Sequence, residues 1–278
     1  MFLKRSNRFV PAHYLRILLC FWKNSLIREM SFRAHFFIKV VGELAWVGMT
    51  LIFLDVIFRN TSQIGGWSHY QYLFLMGTHL LITGIFEAFF FDNCFRVSEL
   101  VRTGDLDFVL LRPANAQFLL SLERVNYSAL ANVPVALGLC GWAVEGHGQP
   151  IAIEHLGLYV LLVTAGVLIL YSLLFMFAIT SIWFIRQTGL EQLWFYTVSF
   201  ARYPAEIYKN FAGGVLWFAL VFVIPILLVA NLPASVVIRA TFDDYFLVAY
   251  LVVAAVVLLI VSSLVFRLAL RWYRSASS

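Results

Sequence analysis

The sequence predicts an all-α integral membrane protein of about six transmembrane helices, and three observations carry that prediction. Hydrophobic residues make up 62% of the 278 positions and charged ones only 13%, against roughly 25% charged in soluble domains. The apolar runs are about 20 residues or longer and lack the alternation of a barrel strand, which selects helices over a closed barrel. The charges between the runs are sorted by face, as the loops of a membrane protein are.

Residues 1–33 form a first unit. Lys4, Arg5 and Arg8 open a basic arm, after which Leu15, Leu18, Leu19, Trp22 and Leu26 recur at helical spacing, with Arg16 and Lys23 on the other face. This pattern predicts an amphipathic helix lying in the headgroup region. A plain juxtamembrane extension of the first span is the alternative. The charged start lacks a following short apolar run with a small-residue cleavage site, so the first span is expected to stay in the mature protein.

Residues 34–278 hold the spans. The first runs from about Phe36 to Phe58 and ends at Arg59; a polar turn with Gly65 and Gly66 leads to the second, from about Tyr70 to Cys94. A third is predicted from Phe118 to Val144, kinked by Pro134, and a fourth from Leu156 to Ile185. The amphiphilic stretch from Arg186 to Asn210 reads as a loop before a fifth span from Phe211 to Val229, which contains Pro225. Residues 230–245 are too polar to span and too apolar for a free loop, so they predict a re-entrant or interfacial segment. The sixth span runs from Phe246 to Leu268, and Arg267, Arg271 and Arg274 close the chain.

The basic arm, the passage from Arg96 to Arg112, the stretch from Arg186 to Lys209 and the C-terminus then fall on one side. The other side holds little beyond Arg59 and Arg239. Lys and Arg collect on cytoplasmic loops, so both termini are expected in the cytoplasm. The same bias accounts for the net charge of +5, and no nucleic-acid partner is expected. Cys20, Cys94 and Cys140 form no metal or redox spacing and read as packing residues.

The cytoplasmic passage 95–117 has a pattern of its own. Phe95 to Val101 continues the second span as a helix, Thr103-Gly104 ends it, and Asp105 is placed to cap a second short helix. Leu106, Val109 and Leu110 give that helix an apolar side, and Pro113 follows Arg112 as its stop. Such a unit either transmits the motion of a cytoplasmic partner to the spans or serves as a solvated connector.

Glu43, Glu87 and Arg124 fall at one depth, roughly 10 Å from the same boundary, and so predict a buried charge network. His79 reads as a packed side chain. Glu145, His147, Glu154 and His155 lack the fixed spacing of a metal site, so none is expected. The chain has no GxxxxGK[ST] stretch to cradle ATP phosphates and no nucleophile with a placed base, so no catalytic residue is expected.

The passage LVRTGDLDFVLLRPANAQF, with ARYPAEIYKNFAGGVLWFALVFVIPILLVANLPA further on, resembles the ABC-2 type permeases, a bacterial family of ABC transporter membrane subunits. The blocks and the six-span layout match over nearly the whole chain. The resemblance implies a permease of an ATP-binding cassette exporter in the bacterial cytoplasmic (inner) membrane, without a nucleotide site of its own. It implies two copies of a separate ATP-binding subunit carrying ATP and Mg, and a second permease, as a homodimer or a related heterodimer. The docking element on that subunit would comprise Glu99, Arg102, Gly104, Asp105, Leu106, Asp107, Leu110 and Arg112. The competing function is an ion- or proton-coupled carrier that uses Glu43, Glu87 and His79 without an ATPase.

Overall fold

The computed structural model describes residues 11–148, 153–183, 190–239 and 245–273. Lys4, Arg5 and Arg8 of the basic arm, Arg186, Arg274, the side chains of Glu154 and Glu191, and residues 240–244 of the expected re-entrant segment lie outside them. The described residues form helices joined by short turns, with one isolated bridge between Ile64 and Trp67.

Helix α1 (Pro11–Ser31) is separated from α2 (Arg33–Asn60) by a break at Phe32. Leu15, Leu19 and Leu26 of α1 are exposed, as an interfacial helix requires. α2 is the first span. After a turn at Gly65 and Gly66, a capping box at Ser68 and Gln71 starts α3 (His69–Phe86). A π-helical turn, Glu87–Phe91, joins α3 to α4 (Asp92–Thr103), so that His69–Thr103 is one rod of 35 residues. Trp67 marks one end of the bundle and Gly104 the other.

Next come α5 (Leu106–Leu110) and α6 (Ala116–Leu122). The third span departs from expectation: it does not run unbroken from Phe118. The helix stops at Leu122 and resumes as α7 (Tyr127–Leu130) and α8 (Asn132–His147). The backbone groups released at the break find partners elsewhere, which makes it affordable. Arg124 N–H donates to Asn93 Oδ1 at 2.9 Å, Asn93 Nδ2 donates to the Arg124 carbonyl at 2.7 Å, and Asn126 N–H donates to the Ala88 carbonyl at 2.8 Å. Pro134 falls in the first turn of α8, where a missing N–H has no intrahelical partner to lose. The break between α7 and α8 at Ala131 lies three residues before it.

α9 (Ile153–Ile179) is the fourth span, followed by a 3-10 turn to Ile182. Beyond it lie α10 (Leu190–Ser199), 3-10 turns at Phe200–Arg202 and Ala205–Gly214, α11 (Val215–Phe218), α12 (Ile226–Ile238) and α13 (Tyr245–Trp272). A second π-helical turn, Ala219–Val223, extends α11, and this half is bent by 81° from α12 at Ile224-Pro225.

This region corrects the expected path. Trp67 Nε1 donates to Glu206 Oε2 at 3.1 Å, Arg239 pairs with Glu206 at 3.1 Å, and Arg239 also donates to the Gly66 carbonyl at 2.6 Å. Glu206 therefore lies at the Trp67 end, not in a loop at the Gly104 end. The chain has already recrossed the bundle by way of α10, whose Trp194 packs on Phe86 and whose sequel Arg202 lies over Trp46. Residues 215–238 then enter and leave at the Trp67 end as a bent pair, where a straight fifth span was expected. The Asn231-Leu232-Pro233-Ala234 run lies inside α12, which is buried at every position but Ser235.

The core lies where α3, α9 and α12 meet. Gly166 lets α9 approach closely, since a Cβ there would stand 3.1 Å from the Val229 carbonyl oxygen. Thr78 and Tyr159 share a hydrogen bond of 3.1 Å between α3 and α9. By contrast, only 11% of the most apolar stretch of α2 and 17% of that of α13 is buried within the chain, so these helices form its outer walls.

Candidate functional site

The 95–117 unit folds as the sequence predicts, with one chemical difference. Gly104 ends α4 in the left-handed conformation at φ 82°, which a side chain would strain. Asp105 stands at the start of α5 but its carboxylate caps no amide there; it accepts a hydrogen bond from Thr103 Oγ1 at 2.8 Å. The carboxylate thus fastens the turn in place of capping the helix.

The two faces of this unit differ sharply. Leu106 and Val109 are buried against the bundle, while Phe108 is 67% exposed and Leu111 74%. Glu99, Arg102 and Asp105 are exposed, Asp107 and Leu110 half-buried, and Arg112 exposed and 3.8 Å from Glu123. Glu123 pairs more closely with Arg96, at 2.7 Å. The unit is anchored from within by Leu106 and held at its base by Arg96 and Glu123. Sequence reasoning overlooked Phe108 and Leu111. Their place between Leu106, Val109 and Leu110 on a short helix puts them on the opposite side, and that signal was available.

The buried charges divide between two cavities. Glu43 on α2 and Glu87 in the first π-helical turn line a cavity of about 520 Å³ between α2, α3 and α10, with His79, Lys39 and Arg202 also on its wall. Trp46, Phe86, Phe91 and Trp194 supply its apolar surface. Asn132 Nδ2 donates to Glu43 at 3.3 Å, and Arg202 lies 5.8 Å from the centre of the Trp46 ring. None of Glu43, Glu87, Lys39 and Arg202 forms an ion pair with a described residue. Arg202 and Trp194 gave no sequence signal, since only the return of α10 through the bundle brings them to Glu43 and Trp46 of α2.

Arg124 stands apart from the two glutamates. It lines a smaller cavity, about 300 Å³, with Arg28, Glu29, Lys39 and Asp92. The helical break at Glu123–Asn126 turns Arg124 toward α1, which the sequence pattern of one continuous span did not reveal.

α1 is clamped onto that break. Val125 N–H donates to Ser25 Oγ at 3.1 Å, Tyr127 N–H to Glu29 Oε1 at 3.0 Å, and the Tyr127 hydroxyl to the Trp22 carbonyl at 2.9 Å. Burial pushes the Glu29 carboxyl above its ordinary value of 4.5, although the Tyr127 amide, Lys39 and Arg28 pull it down. Its Oε2 is buried with no partner. A raised carboxyl pKa favours the protonated folded form, so this contribution to stability is complete below the ordinary value and is lost as pH rises through the higher folded value. Glu29→Gln keeps the acceptor for Tyr127 without the charge. In thermal unfolding at pH 8 it is expected to melt slightly above the wild type, with the gap closing toward pH 4. Glu29→Ala leaves the amide unmet and is expected to cost about 1–3 kcal/mol.

A family model described as ABC-2 family transporter protein matches residues 44–277. No curated protein and no solved structure matches the chain. The matched stretch covers the rest of the bundle from Glu43's neighbour Leu44 onward, including the 95–117 unit, the α10 return and the bent pair. A multi-pass helical bundle with that match has one reading: the chain belongs to the ABC-2 family of transporter proteins.

Proposed function

We propose that the chain is the membrane-spanning subunit of an ATP-driven exporter, coupled to a separate ATP-binding subunit through α5. The observation that carries this reading is the split character of that helix. Leu106 and Val109 root it in the bundle, while Phe108 and Leu111 stand in solvent at the end of a rigid extension of α3. Isolated apolar side chains on a soluble-facing helix, ringed by Arg102, Asp107 and Arg112, have the make-up of an interface centre with a charged rim. In the assembly, two ATP-binding subunits hold ATP and Mg, and a second permease chain, identical or related, completes the membrane unit. The Gly104 end faces the cytoplasm of a bacterial cell and the Trp67 end faces outward. Arg96, Arg102, Arg112, Arg124 and Arg271 at the first end outweigh Arg59, Lys209 and Arg239 at the second.

The 520 Å³ cavity is the entry to the substrate path in this reading. Charged side chains in a span cost about 2.5–3.5 kcal/mol each on insertion scales, and here they line a cavity without an ion pair to any described residue. Reconstitution with the ATP-binding subunit tests both statements. Glu43→Gln with Glu87→Gln is expected to lower ATP-dependent transport about tenfold or more, the worth of roughly one lost charged contact, while the ATP-binding subunit still co-purifies. Unchanged transport would remove the cavity from the path.

Glu43 and Glu87, in no ion pair with a described residue, also favour a second reading, an ion- or proton-coupled carrier. Proteoliposomes holding the permease alone decide between them. Uptake driven by an ion gradient without any ATP-binding subunit would establish the carrier.

A further inference from the structure

We propose that the cavity between α1, the start of α2 and the break before α7 binds the phosphate group of an anionic membrane lipid. Arg28, Lys39 and Arg124 come to it from three separate elements, and His35 adds a fourth nitrogen-bearing side chain. Two carboxylates, Glu29 and Asp92, share the wall, and each accepts a hydrogen bond from the break, although Glu29 Oε2 has no hydrogen-bond partner. Glu29 accepts from the Tyr127 amide, and Asp92 accepts from Asn126 Nδ2 at 3.3 Å. Neither forms an ion pair with Arg28, Lys39 or Arg124, and these three pair with no other described carboxylate.

The repulsion among the cations is real and local. Arg124 is half-buried; Arg96 and Arg28 act on it with like charge and Glu123 and Asp92 with opposite charge, but Glu123 is shared with Arg96 at 2.7 Å. Three cations against two carboxylates leave the wall with one positive charge in excess, and an anion with several acceptor oxygens offsets it.

Depth and surroundings select a lipid over a free ion. The site lies beside α1, whose exposed Leu15, Leu19 and Leu26 set it at headgroup level. Phe32 and Phe36 line the same cavity, and Phe32 is 70% exposed, so an apolar edge for the glycerol and first acyl carbons adjoins the cations. Basic pockets at this level of a membrane protein suit anionic headgroups. The site is independent of the transport reading and requires only that the chain sit in a bilayer.

The test uses the full chain in nanodiscs and in detergent, with retained lipid counted by native mass spectrometry. Phosphatidylglycerol is expected to be retained over phosphatidylcholine. Arg28→Gln, Lys39→Gln and Arg124→Gln are each expected to weaken its retention about fivefold, the effect of one basic group near an anionic surface. Lys23→Gln, on α1 but away from the cavity, is expected to change nothing. Should a cavity variant misfold, competition on the wild-type protein gives the answer: short-chain phosphatidylglycerol displaces the retained lipid and inorganic phosphate at the same concentration does not. Equal retention of phosphatidylcholine, an equal loss in Lys23→Gln, or displacement by inorganic phosphate alone would each overturn the assignment.

Discussion

Phe108→Asp combined with Leu111→Asp is expected to abolish co-purification of the ATP-binding subunit while the permease stays folded and monodisperse. Both side chains are exposed, so the chain alone loses no packing when they change. At an interface each would sit where truncation costs at least about 2 kcal/mol, and two such losses weaken association about a thousandfold. The introduced charges add desolvation against any apolar pocket. Pull-down on the tagged permease, with permease-stimulated ATP hydrolysis as a second readout, checks the outcome. Wild-type recovery of the partner would sink the docking role of α5. Leu106→Asp is a poor substitute, because Leu106 is fully buried and its loss would unseat the helix itself.

Asn231→Leu is expected to destabilise the protein by about 3 kcal/mol or more, the largest effect we anticipate from one interior substitution. Asn231 is buried and its amide joins three backbone groups. Ala205 N–H donates to its Oδ1 at 2.9 Å, and its Nδ2 donates to the carbonyls of Tyr203 at 3.1 Å and Leu227 at 2.9 Å. Leucine fills the volume and satisfies none of them, leaving the Ala205 amide and Tyr203 carbonyl stranded at about 1–3 kcal/mol each. These bonds fix the return of the chain against α12. Thermal unfolding followed by tryptophan fluorescence measures the loss, and a melting temperature equal to the wild type would show that the bent pair is held by apolar packing alone.

The elements most legible in the sequence are those in which local pattern and tertiary role agree. The long apolar runs of α2, α3, α9 and α13 give spans at their expected places, and Gly104 and Pro113 bound α5 as turn chemistry requires. The amphipathic spacing of Leu15, Leu19 and Leu26 likewise matches an exposed face. What was hidden depends on partners remote in sequence. An apolar run from Phe118 to Val144 does not announce a break that Asn93, Ser25 and Ala88 make tolerable. Residues 211–229 are apolar enough to span, but Pro225 and the pairing of Glu206 with Arg239 and Trp67 turn them back. Because α10 has only 10 residues, a hydropathy reading passes over the crossing it helps make. The two short helices around Gly104 could be read from sequence; the exposed Phe108 and Leu111 needed the helix phase read outward as well as inward. The expected union of Arg124 with Glu43 and Glu87 rested on depth alone, and depth says nothing about azimuth around a bundle.

The 35-residue rod from His69 to Thr103 has a mechanical consequence. At 1.5 Å per residue it is about 50 Å long. It carries α5 at one end, while the Trp67, Glu206 and Arg239 knot lies beside the other. A push on α5 would therefore arrive undiminished at the knot, and with it at the bent pair, were the rod uniform. Its one irregular joint is the π-helical turn at Glu87–Phe91, which carries Glu87 on the cavity wall. In the coupling proposed above, axial thrust on α5 would be expected to become sideways displacement at that joint, beside the cavity.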